Sequence, residues 1–335
     1  MDILFQTLPN APLPADLRDA WFAAAGKSEL PDPCCSEPPW VVSYHRAISP
    51  DRRVLLLSEH GNLVCLAEER DLRGKVFLVP LESSWLYDRP LLGQDPLPLF
   101  FKAVALLEEE YEQVPDIILG GMWPHYPLCN ELVVHLGHVF SFYRLCRMEQ
   151  GAASLEGGLD GFLANRSANF RQKLKKARRK TADIGVHFER ICPTSEQEAS
   201  TTYARMLAIE ERSWKGLSGT GIVDEAVRSF YALLLCDLAQ TGRARVIIAR
   251  KDERDIGFIF GGFSGTIYRG QQFSFDQDFA KYSLGNVLQY ETIRWLTEDG
   301  CMRYDMGPVT GPKMGYKSHW TELTFPLESW ILKHR

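Results

Sequence analysis

The sequence lacks the patterns that would place it among metal-binding, secreted or membrane-spanning proteins. Its eight cysteines form no Cys-x-x-Cys pair and keep no regular spacing to histidine, so we predict no metal site. We interpret them as reduced thiols of a cytoplasmic protein. No stretch of about 18 uninterrupted apolar residues is present, and the first residues show no basic region followed by an apolar one. Neither a membrane span nor a secretory signal is therefore predicted.

The chain also has no excess of positive charge. Its net charge of −5 predicts no general attraction to nucleic acid or to an anionic membrane, so a basic binding surface would have to be local. One stretch, residues 171–180, provides such a surface. It is expected to form a basic helix, either as a solvated face or as a surface that binds phosphates, those of tRNA or the 3′-phosphate of coenzyme A. Its basic residues are Arg171, Lys173, Lys175, Lys176, Arg178, Arg179 and Lys180.

The length and composition favour two domains. With 335 residues and 45% hydrophobic content, the chain can fill two cores of ordinary size. Hydrophobic periodicity is lost in EQGAASLEGGLDG, residues 149–161, where glycine and small residues accumulate. We therefore predict a domain boundary there, with domains at residues 1–150 and 151–335.

Both halves show strands joined by hairpin turns, then a helix, then another strand. In the first half these are RRVLLLSEHGNLVCLAEE, LPLFFKAVALLEEEYEQV and DIILGG. In the second half RARVIIARKDERDIGFIFGG leads to a helix after residue 283 and to CMRYDMG. The pattern predicts an α/β (α+β) protein of two tandem domains, each with a mixed, mostly antiparallel sheet flanked by helices. Two unrelated α/β domains are the alternative.

A strand stops and a helix starts within FSFDQDFAKYSLGNVLQYETIRWL, residues 273–296. The first amide groups of a helix have no intrahelical acceptor and lie at the positive end of its dipole, where a phosphate is stabilised. We expect Ser283 to cap this helix and Gly285 to let a ligand approach the backbone. An ordinary capped helix is the alternative.

With this block in that order of elements, the sequence resembles the GNAT superfamily of acyltransferases. It is most similar to the branch of Fem-type peptidyltransferases and CelD-like acetyltransferases, which have two tandem GNAT-like domains. The FRQKLKKARRK helix, the tryptophan of AIEERSWKG and the closing YDMG and GYKSHW also carry the resemblance. The family's pyrophosphate signature, Gln or Arg followed by Gly-x-Gly or Gly-x-Ala, is reduced here to KYSLGN. The resemblance implies a coenzyme A site at Phe275, Tyr282, Ser283, Leu284, Gly285 and Asn286.

Acyl transfer to an amine needs a neutral nucleophile, a polarised carbonyl and a proton for the leaving group. Lys317 in GYKSHW matches the C-terminal lysine that Fem-type enzymes place in the acyl-transfer channel, where its charge would stabilise an oxyanion. We expect Asp276 to accept the amine proton and Tyr316 to protonate the leaving thiolate. His319 would titrate near neutral pH. Structural roles are the alternative for all but the lysine.

Four further residues are candidates for binding the acceptor. Glu210 and Trp214 are four residues apart on a predicted helix, and Trp123 and His125 lie in the loop GGMWPHYPL. If the clefts of the two domains adjoin, this loop would face the acceptor; ordinary loop packing is the alternative. The first-half turn at residues 92–96 has no basic residue, so we expect no cofactor site in that domain.

These observations predict an N-acyltransferase of the cytoplasm. It would move an acyl group, in the simplest case acetyl, from acetyl-CoA or another acyl-CoA to a small-molecule or peptide amine, without a metal. One alternative is a Fem-type transferase that uses aminoacyl-tRNA, held by the basic helix at 171–180. The other is a catalytically silent binding protein with the GNAT fold.

Overall fold

The computed structural model describes residues 5–8, 13–222, 224–311 and 314–335. The chain divides into two compact units. Unit 1 comprises Met1–Glu149 together with Phe325–Arg335, and unit 2 comprises Gln150–Thr324. The last segment of the chain thus belongs with unit 1, whereas the sequence prediction assigned it to the second domain.

Helices and strands alternate in both units. The helices are α1 (Ala15–Lys27), α2 (Pro38–Ile48), α3 (Leu97–Glu110), α4 (Pro127–Leu136), α5 (Gly158–Ala164), α6 (Ala168–Asp183), α7 (Glu196–Glu210), α8 (Trp214–Leu217), α9 (Glu225–Gln240) and α10 (Leu284–Glu298). Short 3₁₀-helices cover Pro33–Ser36, Gln277–Tyr282 and Gly315–His319. The strands are β1 (Phe5–Thr7), β2 (Arg53–Glu59), β3 (Asn62–Arg70), β4 (Val76–Val79), β5 (Leu91–Leu92), β6 (Asp116–Met122), β7 (Phe140–Ser154), β8 (Val186–Ile191), β9 (Ala244–Lys251), β10 (Arg254–Ser264), β11 (Ile267–Phe275), β12 (Arg303–Pro308) and β13 (Leu323–His334).

The two units share one strand order and one set of strand directions. Unit 1 has the order β1-β2-β3-β4-β6-β13, and unit 2 has the order β8-β9-β10-β11-β12-β7. In each, the first four strands are antiparallel neighbours, the fourth and fifth are parallel, and the sixth is antiparallel to the fifth. A helix, α3 or α10, connects the parallel pair. The predicted pair of similar, mostly antiparallel domains is confirmed.

Each unit buries its connecting helix against its own sheet. In unit 1, Phe100 and Leu107 of α3 pack with strand residues such as Leu66 and Ile117 in one fully buried cluster. In unit 2, α10 presents a stripe at helical spacing that begins with Leu284 and packs against β9 and β10. The start of α10 is thereby fixed beside the ends of β10 and β11.

The stretch at the predicted domain boundary is largely regular. Strand β7 continues to Ser154, and α5 begins at Gly158. Gly151 pairs with Gly307 of β12, and a Cβ atom at Gly151 would lie 2.2 Å from Val309 Cγ1. The small residues are therefore needed for close packing of a buried strand, and they do not mark a flexible linker.

In unit 1 the space beside the parallel pair is filled by the chain itself. Strands β4 and β6 pair only at Phe77–Asp116 and Leu78–Ile117. Beyond that point residues 80–90 pack on β6, where the Gly121 amide donates to the Leu86 carbonyl (2.9 Å). Buried Glu82 accepts the amides of residues 85–87 and holds this loop in shape.

We predict that the packing of this loop makes Gly121 irreplaceable. Gly121 has φ of 59°, and a Cβ atom there would lie 2.6 Å from the Tyr87 carbonyl oxygen. Gly121→Ala should lower the free energy of unfolding by about 3 kcal/mol or more, because left-handed strain adds to a clash with backbone. Gly74→Ala is the control: its φ is 80° but no atom lies within 4 Å, so about 1 kcal/mol is expected. Calorimetric melting of both variants would measure the difference; equal losses would contradict it.

Candidate functional site

Unit 2 has a cavity where its parallel strands separate. Strands β11 and β12 pair over three residues each, from Ile267–Arg303 to Arg269–Asp305, and no further. A cavity of about 490 Å³ lies beyond that point. It is lined by Trp214, Lys215, Gly221, Ile259, Gly270, Gln271, Gln272, Phe273, Ser274, Phe275, Gln289, Tyr304, Met306, Met314, Tyr316 and Lys317.

A β-bulge at Gln271 decides which side chains reach each face of the sheet. Gln272 pairs with Phe260 and Gly270 with Gly261, so Gln271 is an extra residue on β11. After the bulge Phe273 packs with α10, whereas Gln272 Nε2 donates to the Tyr231 hydroxyl of α9 (3.0 Å). Strand alternation then places Ser274 on the α9 side and Phe275 on the α10 side. The cavity therefore has walls on both faces of the sheet.

The start of α10 lies against the aromatic wall of this cavity. Ser283 precedes the helix with φ of 59°, and its side chain makes no capping hydrogen bond, so the predicted cap was wrong. A Cβ atom at Gly285 would lie 3.0 Å from the Phe275 ring and 3.1 Å from the Phe273 ring. The glycine therefore accommodates protein rings, contrary to the expected open approach for a ligand.

One amide group at the start of α10 remains available to a ligand. Among the residues that the structure describes, no acceptor is found for the amide of half-buried Gly285, whereas Leu284 is fully buried. Ser283 and Asn286 are exposed beside Gly285, and Lys281 is exposed in the preceding 3₁₀-helix, its Nζ 5.3 Å from the centre of the Tyr282 ring. An open amide, the helix dipole and a nearby cation together suit an anion.

Lys317 is the lining residue whose pKa lies close to neutral pH. It lies in the 3₁₀-helix Gly315–His319, and burial, with the nearby positive charge of Arg269, lowers the pKa of Lys317 to about 7. Its amine is thus present in both protonation states at neutral pH. Beside it, burial raises the pKa of Tyr316 to about 12, and the Tyr316 ring lies 6.0 Å from that of Phe273. Tyr316 therefore keeps its proton at neutral pH.

Sequence reasoning missed three polar residues of the cavity wall. The Tyr304 hydroxyl donates to Gln289 Oε1 (2.8 Å), and burial raises the pKa of Tyr304. Ser274 is 3% exposed, and its Oγ has no hydrogen-bond partner in the described part of the chain. All three lie in stretches with apolar periodicity, which predicts only buried positions. The signal that would have indicated them is the point where the β11–β12 pairing ends, and the sequence does not show that point.

Glu210 lies behind the cavity wall, in contrast to the expected position in an acceptor pocket. It is fully buried and accepts from Ser213 Oγ (3.0 Å), and its Oε1 lies 3.4 Å from Lys215 Nζ. Lys215 also donates to Gln272 Oε1 (3.1 Å) and to the Phe273 carbonyl (3.0 Å), and burial lowers its pKa. Glu210 thus positions Lys215, while Trp214 itself lines the cavity.

Asp276 and His319 do not line the cavity. The Asp276 carboxylate accepts from Arg212 Nε (2.9 Å), pairs with Arg254 and caps the 3₁₀-helix through the Asp278 amide (3.0 Å). Two guanidinium groups and an amide thus occupy its oxygens, and these contacts favour a structural role over the expected proton acceptor. His319 is exposed on its 3₁₀-helix.

Trp123 and His125 belong to unit 1. Trp123 stacks on Tyr126 with ring centres 6.4 Å apart and accepts a hydrogen bond from Cys129 Sγ at its carbonyl (3.2 Å). His125 is exposed. These contacts are those of a packed loop, and the role of the two residues in acceptor binding stays a prediction.

The basic helix predicted at residues 171–180 is α6. Ser167 caps it by accepting from the Phe170 amide, and Leu174 and Ala177 are buried. Arg178 lies over the Tyr290 ring at 4.0 Å. Within the described ranges, no ion pair is found for five exposed cations: Lys173, Lys175, Lys176, Arg179 and Lys180.

None of the described helices has both the length and the apolar content to cross a membrane, and no described group of three or more His, Cys, Asp or Glu residues is placed to hold a metal.

Comparison with known proteins identifies the second half of the chain. Residues 168–318 match the family model of the acetyltransferase (GNAT) domain. No curated protein matches the chain. The site described above, including α6, the α10 turn and Lys317, falls within the matched residues.

Solved structures with the same fold extend over nearly the whole chain. A conserved protein of unknown function from Bacteroides thetaiotaomicron VPI-5482 is 11% identical with a TM-score of 0.67, covering 99% of this chain and 100% of that one. FemX is 11% identical with a TM-score of 0.67, over 93% and 95% of the two chains. L-PGS from Bacillus licheniformis is 12% identical with a TM-score of 0.56, over 88% and 91%.

These likenesses show the fold and are consistent with the repeated strand order of the two units. The matched family model describes an acetyltransferase domain, which catalyses acyl transfer. The chain is therefore an acyltransferase by the match of residues 168–318 to the acetyltransferase (GNAT) domain, and its fold is that of two GNAT-like units.

Proposed function

We propose that unit 2 transfers an acyl group from coenzyme A to an amine. The observation that carries this proposal is the cavity between β11 and β12, which contains Lys317 and adjoins the open start of α10. An acyl-CoA needs an anion site for its pyrophosphate and, close by, a largely apolar site for its acyl group. The Phe273 and Phe275 rings belong to the cavity and contact Gly285, so the two sites are neighbours.

In this proposal the pyrophosphate accepts a hydrogen bond from the open amide of Gly285 at the start of α10, and the helix dipole favours its charge. Asn286 and Tyr282 flank the bound group, and Lys281 adds a positive charge. Phe275 and Leu284 support the turn from the buried side.

Lys317 moves the proton that acyl transfer displaces. The amine nitrogen attacks the thioester carbonyl, the new C–N bond forms, and the C–S bond breaks. The amine must lose a proton and the leaving thiolate must gain one. A group with a pKa of about 7 accepts the first and returns the second at neutral pH, so neutral Lys317 suits this role better than a permanently charged oxyanion partner. Tyr316 can donate a hydrogen bond to the sulfur.

We predict that an added negative charge at the start of α10 will weaken coenzyme A binding without lowering the stability of the protein. Asn286→Asp should leave the melting temperature unchanged or higher, because a carboxylate in the first turn interacts favourably with the helix dipole. The same charge should repel a pyrophosphate and weaken coenzyme A binding at least about tenfold, or about 1.4 kcal/mol.

Gln197→Glu is the matched control, since Gln197 is an exposed amide in the first turn of α7. Calorimetric titration with coenzyme A should give it an unaltered Kd. Equal affinities of wild type and Asn286→Asp would exclude this placement of the pyrophosphate.

We also predict that arginine cannot replace Lys317. In the wild type, the transfer rate should rise with pH and level off above about 7, as Lys317 becomes neutral. Lys317→Arg and Lys317→Met should both lose about 100-fold or more in kcat, since arginine stays protonated and methionine has no titratable group. Substantial activity of the arginine variant alone would instead support a fixed cation that stabilises the oxyanion. The release of free thiol from acetyl-CoA measures the pH dependence of the wild type and the activity of the two variants.

A second candidate is transfer from aminoacyl-tRNA, as in Fem-type enzymes. It is favoured by the five exposed cations of α6 and by the likeness in fold to FemX. Lys175, Lys176 and Arg179 are the positions to test, because Arg178 packs on Tyr290 and its loss would disturb α10.

For this candidate, Lys175→Ser, Lys176→Ser and Arg179→Ser together should weaken tRNA binding and flatten the plot of log affinity against log salt by about 0.7 to 0.9 per lost phosphate contact. Filter binding at several salt concentrations measures the slope. An unchanged slope, together with intact coenzyme A binding, would argue against aminoacyl-tRNA and leave coenzyme A as the acyl donor.

A further inference from the structure

We propose that the acceptor is an aromatic or otherwise apolar amine with no second positive charge, bound on the α7–α9 side of the cavity. The inference rests on the proposed acyl transfer and specifies its substrate class. It is carried by three features of the cavity: its two faces, the sign of its charges and an unpaired buried hydroxyl.

The two faces of the cavity separate donor from acceptor. The open Gly285 amide of α10 lies on one face of the sheet, against Phe273 and Phe275. The bulge at Gln271 turns Gln272 and Ser274 to the other face, toward Tyr231 of α9. A donor held at α10 would therefore meet an acceptor that enters from the side of α8 and α9.

The charges at the cavity exclude polycationic acceptors. Of the residues that line it, the charged ones are Lys215 and Lys317, and within the described part of the chain no Asp or Glu lines it. Glu210, the nearest carboxylate on this side, is buried and engaged by Lys215 and Ser213. A polyamine or an aminoglycoside would bring further ammonium groups against these two cations, which costs free energy in a partly buried site.

The shape and chemistry of the wall suit an apolar body with one polar contact. A cavity of about 490 Å³ is within the size range of pockets that enclose small organic ligands. Trp214 is 42% exposed and presents its indole at the cavity, with Met306 and Met314 also in the lining. Such a surface favours stacking with an aromatic group.

Ser274 Oγ provides the polar contact. It lines the cavity, its residue is 3% exposed, and it has no hydrogen-bond partner in the described part of the chain. A buried hydroxyl without a partner is unfavourable, and the amine of an acceptor would satisfy it as an N–H donor. We infer that Ser274 orients the attacking nitrogen, while Trp214 selects the body of the molecule.

The test compares three amines with the full-length protein and acetyl-CoA: phenethylamine, butylamine and butane-1,4-diamine. We expect kcat/KM for phenethylamine to exceed that for the diamine at least about tenfold, with butylamine between them. Trp214→Ala should reduce the ratio of phenethylamine to butylamine to near one. Ser274→Ala should lower kcat/KM about tenfold for every amine, whereas Ser218→Ala, at an exposed serine outside the cavity lining, should not.

A binding measurement keeps this inference separate from the proposed transfer. Phenethylamine should quench tryptophan fluorescence in the wild type and not in Trp214→Phe, whether or not any acyl group is transferred. Quenching without transfer to any amine would reject the acyl-CoA proposal and leave the acceptor site in place. Equal kcat/KM for phenethylamine and the diamine, or no Trp214-dependent quenching, would overturn the acceptor class while transfer itself stands.

Discussion

The parallel pairing of β11 and β12 ends after three residues, and the site of unit 2 depends on that ending. Where two neighbouring strands separate, the backbone groups and side chains along the inner edges lose their partners, and the space must be filled by protein or by a ligand. In unit 2 the space is a cavity with Lys317, Tyr304 and Ser274 in its wall. The connecting helix α10 starts beside it, so the open Gly285 amide in its first turn and the cavity form one region.

In unit 1 the parallel strand pairing also ends early, but the space beyond it is filled by protein. Its parallel strands β4 and β6 pair over two positions, and residues 80–90 then occupy the space beside Gly120 and Gly121. Glu82, buried and bound by three amides, fixes the loop. The same fold can thus leave the space beyond its parallel strand pair open or fill it with a loop.

The polar groups of the cavity differ in how far hydrogen bonds and opposite charges offset the free-energy cost of their burial. Lys215 has three acceptors, Glu210 among them, so its charge is held in place and contributes to structure. Lys317 faces the positive charge of Arg269, and burial lowers its pKa to about 7. Ser274 Oγ has no partner among the described residues. Incomplete compensation is tolerated in proteins mainly where a ligand or a reaction uses it, which is why Lys317 and Ser274 carry the chemical proposals.

Local patterns in the sequence were sufficient to predict a large part of the secondary structure and its repetition. Alternation and helical spacing predicted the hairpin strands, the connecting helix and the following strand of each unit, and the basic run at 171–180 is the helix α6, because these patterns depend on local backbone geometry. The sequence also pointed to Lys317 and Trp214, which line the cavity. Contacts between distant segments place Glu210 behind Lys215, Asp276 beside two arginines and Gly285 against two rings. Each of these depends on partners far away in the chain, and spacing along the sequence carries no information about which distant side chains will meet.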